Sequence, residues 1–347
     1  MAIFRFFLAL LAVSNLFAES DFDRLMGKET KHWRHVQQAE DLQFLDLCRG
    51  AYDKNRAHLF EKSGGYKIPQ VVHFIWVGPR PFPAGSVENV RTWMAKNPAW
   101  KFKFWTDRPR SAPCEGMETI VLTDYPFPFL KRCYESSKNW GEKSDVLRFE
   151  ILYAEGGAYA DHDANCLQSF DGLHRGLDFY CCLETPHTPF VGRNVTAGNG
   201  VIGSRAGHPV VKEVIDIMEE HWDDLEKKYA GDDSFSRTQI VMERTYIALT
   251  LALKRKVDLP GNTDIVLPAA YFFSKPGIQP LYSKHFYANS WADDGKKMAT
   301  FEKSVEKELS KIDRKMWDLY LILLAAVGLN SVLIGFWLIL ARKKVKS

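Results

Sequence analysis

The sequence has little net charge. Its 347 residues carry 46 Lys and Arg against 43 Asp and Glu, a formal net charge of +3. Arg342, Lys343, Lys344 and Lys346 crowd the C-terminal tail, so the body is close to neutral. A near-neutral body offers no electrostatic footprint for nucleic acid, and that class of function is set aside. The sequence also lacks C-x-x-C and His-x-His spacings, which argues against a zinc site. Its cysteines are Cys48, Cys114, Cys133, Cys166, Cys181 and Cys182. An exported location would permit disulfides among them, in pairings the sequence does not reveal. No internal repeat or low-complexity tract is present. Apolar side chains are plentiful, at 46% of residues. That is enough to bury a core, so disorder is excluded for most of the chain. The length suits one large domain or two small ones.

The two ends differ from the body. Residues 1–18 hold one early cation, Arg5, then an apolar run over 6–13, then small and polar residues. The expectation is a signal peptide cleaved after Ala18, with a retained anchor or a buried helix as alternatives. Residues 319–341 contain no charge. That is about 23 residues, or ~34 Å of helix, enough to cross ~30 Å of hydrocarbon. Trp317, Tyr320 and Trp337 sit near its ends, as interfacial aromatics do. A transmembrane helix is therefore expected over 317–341, followed by a basic tail, 342–347, on the cytoplasmic side. With a signal peptide this makes a single-pass membrane protein whose bulk is lumenal, periplasmic or extracellular. The Lys-rich stretch 293–316 becomes a polar, helical stalk. Asn194-Val195-Thr196 is a lone glycosylation triplet, meaningful only in a eukaryotic secretory route.

The body reads as α/β. Residues 19–65 look helical and polar. Residues 70–77 (QVVHFIWV) form an apolar, β-branched run, as a buried strand does. Pro79, Pro81 and Pro83 impose a loop. Ser86 is placed to cap a helix reaching Asn97, with Val87, Val90, Trp93 and Met94 on one face. Residues 101–105 alternate as a second strand. This strand–loop–helix–strand order begins a parallel sheet. A helix over 142–155 stops at Gly156-Gly157. Short strands are expected at 158–160, 177–183 and 199–204, and long helices at 209–229 and 239–254.

The chemistry concentrates in 144–163, SDVLRFEILYAEGGAYADHD. Asp145, Arg148 and Leu152 fall near one helix face. Asp161 and Asp163 point the same way from an extended segment. Two carboxylates at the C-terminal end of a strand make a hard oxygen site suited to Mn²⁺ or Mg²⁺. Open α/β sheets bind ligands at that edge. Taken alone, an Asp and an Arg three apart read as a surface ion pair, and a bare Asp-x-Asp reads as a solvated turn.

Taken together, Ser144, Asp145, Arg148, Leu152, Gly156, Gly157, Tyr159, Asp161 and Asp163 resemble the DXD sugar-binding signature of a glycosyltransferase family. That family contains the yeast-type initiating mannosyltransferases, the inositol-phosphoceramide mannosyltransferases and α-1,4-glycosyltransferases. The glucosylating toxins of clostridia share its core. Residues 68–76 (IPQVVHFIW) are similar to the family's first strand. Trp93, Asn97, Pro98 and residues 100–105 fit the next helix and strand. Residues 199–204 (NGVIGS) resemble a later segment whose Asn lies near the donor sugar. His285 with Ser290-Trp291 resembles a terminal H-x(4)-S-W motif. One departure stands out: where the family often has Thr-Gly-Pro before its last long helix, this chain has Ser236-Arg237-Thr238-Gln239.

The resemblance spans 66–292 and implies a GT-A fold, a nucleotide-sugar donor and retention at the anomeric carbon. It implies Asp163 as a direct metal ligand, Asp161 at the ribose or metal, and His285 closing the metal site. Asp145, Arg148 and Asn199 are expected around the donor sugar. Trp76 is expected to stack on the nucleobase, with a core tryptophan as the alternative. Tyr159, Ser290 and Trp291 are expected at the diphosphate. No carboxylate stands out as a covalent nucleophile. The expected activity is metal-dependent hexose transfer to a glycan, glycolipid or protein acceptor at a membrane. The competing readings are a silent carbohydrate-binding scaffold and a toxin-like effector.

Overall fold

The computed structural model describes residues 20–290, apart from 188, 190, 231–233, 274, 276 and 289, together with residues 314–320. The chain divides into two units, 1–293 and 294–347. In the second, residues 314–320 are helical. The expected signal peptide, most of the stalk, nearly all of the 317–341 span and the tail lie outside the described residues. Among the described residues, no helix is long and apolar enough to cross a membrane.

The first unit is built on a seven-stranded sheet. Its strands are β1 (Val71–Ile75), β2 (Lys101–Thr106), β3 (Glu118–Val121), β4 (Gly157–Ala160), β6 (Phe179–Leu183), β7 (Ala197–Ser204) and β8 (Asp264–Leu267), in the order β3-β2-β1-β4-β7-β6-β8. All neighbours run parallel except β7, which is antiparallel to both β4 and β6. β1, β4 and β6 therefore end at the same edge. Every residue of β1 is buried, because a central strand of such a sheet is covered on both faces. β5 (Ala164–Cys166) and β9 (Ser283–His285) form a separate antiparallel ladder that pairs Ala164 with His285.

Helices cover the sheet. They include α1 (Ala39–Asn55), α2 (Val87–Lys96), α3 (Trp140–Glu155), α4 (Pro209–Lys228), α5 (Ser234–Met242) and α6 (Ala248–Lys256). The N-terminal segment is largely helical, and Asn55 of α1 ties it to β8 by donating to the Asp264 carbonyl at 2.7 Å. α2 is pinned by the buried Trp93, whose Nε1–H donates to the Ala164 carbonyl at 2.8 Å. Ser86 sits at the N-cap of α2 but makes no capping bond. Its hydroxyl bonds His162 Nδ1 at 2.8 Å instead. α3 starts at Trp140, where the Asn139 side chain accepts from the Glu142 N–H. It ends at Gly156 and Gly157, with φ of 68° and 97°. A Cβ at Gly157 would lie 2.4 Å from Val71 Cγ1, so only glycine lets helix and sheet meet there. The helix expected at 239–254 starts earlier, at Ser234, and is interrupted by a π-helical turn over Glu243–Ile247. All six cysteines are free thiols.

Two buried histidines make the core acid-sensitive. His73 Nε2–H donates to the Gly156 carbonyl at 2.8 Å, and its Nδ1 accepts the Trp105 Nε1–H at 3.1 Å. His174 likewise uses both nitrogens, on the Pro69 carbonyl and the Tyr180 hydroxyl. Burial holds His73 down at about 4 and His174 at about 3, from 6.5. Unfolding releases both to protonate below 6.5, so their contribution is intact above that pH and lost below it. Each is expected to cost ~2 kcal/mol of stability between pH 6.5 and about 5. Urea unfolding across that window checks this; a flat profile would contradict it.

Candidate active site

A cleft of about 320 Å³ opens at the C-terminal edge of β1, β4 and β6. Its floor is the segment after β4. Asp161 receives the Tyr159 hydroxyl on Oδ1 at 2.5 Å, and Arg148 Nη2 lies 3.4 Å from the same oxygen. Its Oδ2 lies 3.2 Å from His285 Nε2. Asp163 accepts the Ala288 N–H on Oδ2 at 2.6 Å, and its Oδ1 lies 3.4 Å from His285 Nε2. The β5–β9 ladder carries His285 across the chain to these carboxylates. Ligand atoms of Asp161, Asp163 and His285 all lie within 4.8 Å of one another.

This donor set fits a hard divalent cation, with two carboxylates each keeping one oxygen toward a shared point. His285 Nδ1 accepts the Tyr287 N–H at 3.1 Å. In that tautomer Nε2 carries the proton, so coordination through Nε2 displaces it. Burial opposes a charge on Asp161, but Arg148, His285 and Tyr159 outweigh it and hold its carboxyl down at about 2. Burial works against a proton on His285, and the neighbouring Asp161 and Asp163 raise it above its ordinary value nonetheless.

Gly200 of β7 makes room for this arrangement. A Cβ there would lie 2.9 Å from Asp161 Oδ2 and 3.0 Å from His285 Cδ2. Gly200→Ala is expected to leave the fold standing and to weaken Mn²⁺ binding roughly 10–100-fold. Electron paramagnetic resonance of free Mn²⁺ measures this, and unchanged affinity would contradict the geometry.

Asp145 and Arg148 enter from α3. They are a buried pair, not a surface one, with side chains 10% and 4% exposed. Burial pushes Asp145 up to about 6 even beside the Arg148 guanidinium. That guanidinium lies 4.0 Å over the Tyr159 ring and donates to Asp145 and to the Asn199 carbonyl.

The remaining expected residues differ in their access to the cleft. Asn199 is buried behind the cleft and does not line it. It falls on β7 between Gly198 and Gly203, where the β6–β7 register breaks, and its carbonyl holds Arg148. The Tyr159 hydroxyl is committed to Asp161. Trp76 lines the cleft half-buried, its Nε1–H donating to the Arg80 carbonyl at 2.9 Å and its ring edge-on to Phe82 and His162. Ser290 lines the cleft and bonds His162 Nε2 at 3.0 Å. Trp291 lies outside the described residues. Sequence reasoning passed over His162, which joins Ser86 to Ser290, and Glu184 and Tyr246, which also line the cleft. Glu184 had one signal, a carboxylate directly after an apolar strand; Tyr246 had none.

Residues 83–179 match the family model described as a glycosyltransferase sugar-binding region containing a DXD motif. The chain is 29% identical over 188 residues to subversion of eukaryotic traffic protein A of Legionella pneumophila, which covers 50% of this chain and 27% of that protein. It is 31% identical over 150 residues to inositol phosphoceramide mannosyltransferase 3 of Schizosaccharomyces pombe, covering 43% and 36%. The chain thus spans only about a third of these relatives' length. A solved structure, PaToxG glycosyltransferase, is similar at 17% identity with a TM-score of 0.44, covering 62% of this chain and 80% of that one. The matched segment, residues 83–179, runs from the loop before α2 to the first residue of β6 and is similar to the DXD-containing glycosyltransferase sugar-binding region.

Proposed function

We propose that this chain is a metal-dependent glycosyltransferase of GT-A type, moving a hexose from a UDP- or GDP-linked donor to a hydroxyl acceptor. The convergence of Asp161, Asp163 and His285 beside Arg148 carries this reading. A divalent cation held by Asp161 and Asp163 would neutralise the charge that grows on the diphosphate as it leaves. Arg148 adds a fixed cation beside that charge, and Tyr159 and His285 keep the two carboxylates aimed. Asp145 fixes the Arg148 fork and faces the sugar. Trp76 offers an aromatic surface for the base. In the transfer, the donor C1–O bond breaks and its electron pair goes to the diphosphate. The acceptor oxygen bonds C1, and its proton passes to a leaving phosphate oxygen. Attack on the face the leaving group vacates would retain the anomeric configuration.

We place the enzyme on a membrane, anchored through 317–341 with the basic tail cytoplasmic, from the uncharged run and its flanking aromatics and cations. A lipid-borne acceptor suits such an anchor and the ceramide mannosyltransferase relative. The test is release of UDP or GDP by the detergent-solubilised full chain across a panel of nucleotide sugars, with Mn²⁺ and with EDTA. Release from one donor, abolished by EDTA, is the expected result. Nucleotide binding with no release from any donor would favour a silent binding protein.

A further inference from the structure

Four carboxylates line the cleft: Asp145, Asp161, Asp163 and Glu184. The first is held by Arg148, and the next two by His285, Tyr159 and the Ala288 N–H. Among the described residues, no hydrogen bond or ion pair engages the half-buried Glu184 carboxylate. A cleft-lining carboxylate with no such partner has its full acceptor capacity available to a ligand. Its backbone is fixed, since its N–H donates to the Thr196 carbonyl at 3.0 Å. Gly198 gives its side chain room, because a Cβ there would lie 3.2 Å from Glu184 Cγ.

The sheet sets out the order of subsites. Trp76 follows β1, Asp161 and Asp163 follow β4, and Glu184 follows β6. These three strands are parallel and β7 separates β4 from β6. Strands lie ~4.8 Å apart, so Glu184 stands ~10 Å along the edge from the diphosphate end, on the side away from Trp76. The sequence base, diphosphate, sugar, acceptor runs in that direction. Tyr246 also lines the cleft, from the π-helical turn. An extra residue in a helical turn re-aims the side chains around it, and such turns gather at functional sites. Burial and then the Glu184 charge raise the Tyr246 hydroxyl, and both side chains line the one cleft. This turn belongs to the helical run where the chain departs from its family's Thr-Gly-Pro.

We propose that Glu184 and Tyr246 form the acceptor subsite, which receives a ring bearing several hydroxyls, a sugar or a cyclitol. Glu184 accepts hydrogen bonds from two hydroxyls and Tyr246 packs against the ring. The inference rests on the glycosyltransferase reading above. Its test uses the full chain loaded with Mn²⁺ and UDP or GDP. Saturation-transfer NMR then probes binding of methyl α-mannoside, methyl α-glucoside and myo-inositol, with Glu184→Gln and Tyr246→Phe beside the wild type. At least one probe is expected to bind the wild type and to lose roughly ten- to a hundredfold affinity in Glu184→Gln, the effect of a lost charged hydrogen bond. Nucleotide affinity should stay unchanged in both variants. No probe signal in the wild type, or equal signal in Glu184→Gln, would overturn the subsite. Weaker nucleotide-sugar binding by Glu184→Gln, with nucleoside diphosphate binding intact, would move Glu184 to the donor sugar and overturn it too. Absence of nucleotide binding in the wild type would instead sink the transferase reading on which the subsite depends.

Discussion

Arg148→Ala is expected to cost about 3–5 kcal/mol of stability and to abolish glycosyl transfer. The Arg148 side chain is 4% exposed. It holds Asp145, the Asn199 carbonyl and the edge of Asp161, and it covers the Tyr159 ring. Its removal strands two neighbouring carboxylates in a buried site. Asp145 already sits at about 6 with the guanidinium in place, so without it the carboxyl stays protonated at neutral pH. The low value of Asp161 also leans first on Arg148, and a rise there weakens any cation site. Arg148→Lys keeps the charge but cannot satisfy three directions at once, so it should recover little. Stability and function can be separated. Arg148→Met with Asp145→Leu removes both buried charges and should restore most of the stability, as apolar replacement of buried pairs does. It should not restore release of UDP or GDP. Urea unfolding and donor turnover on these variants check both halves.

Asp163→Ala is expected to lower nucleoside diphosphate release by roughly a hundred- to a thousandfold, with the fold intact. Asp163 touches little besides the site. Its carboxylate takes the Ala288 N–H and faces His285. Removing it leaves one carboxylate toward the shared point, too few hard ligands for a tightly held divalent cation. Thermal unfolding should move little, because the lost bond ties one loop near the surface. Asp161→Ala is a harsher change, since it also frees Tyr159, His285 and Arg148. A milder loss in Asp163→Ala than in a variant remote from the cleft would show that the carboxylate pair is not where the diphosphate leaves.

Much of this site was legible because its residues lie close in sequence. Asp145, Arg148, Gly156, Gly157, Asp161 and Asp163 are one helix, one turn and one strand end, so local geometry brings them together. His285 was legible only through the motif it shares with a family; the β5–β9 ladder that delivers it spans three residues on each strand, too short for periodicity to reveal. The four-residue strands β3 and β8 escaped for the same reason. Ser86 shows a different limit. Its position before a helix suggested a cap, but its hydroxyl goes to His162, 76 residues away. Asn199 fell in the right strand, but its burial away from the cleft lining was not legible, because the register break around it is a tertiary event. Tyr246 was hidden by the π-turn, which no helical periodicity anticipates.

The most direct test is calorimetric titration of UDP and GDP into the full chain, with Mn²⁺ and with EDTA, for the wild type and Asp163→Ala. The account predicts that one nucleotide binds the wild type only when Mn²⁺ is present, and that Asp163→Ala loses this binding. Nucleotide binding that ignores both Mn²⁺ and Asp163, or no binding by the wild type at all, would contradict it.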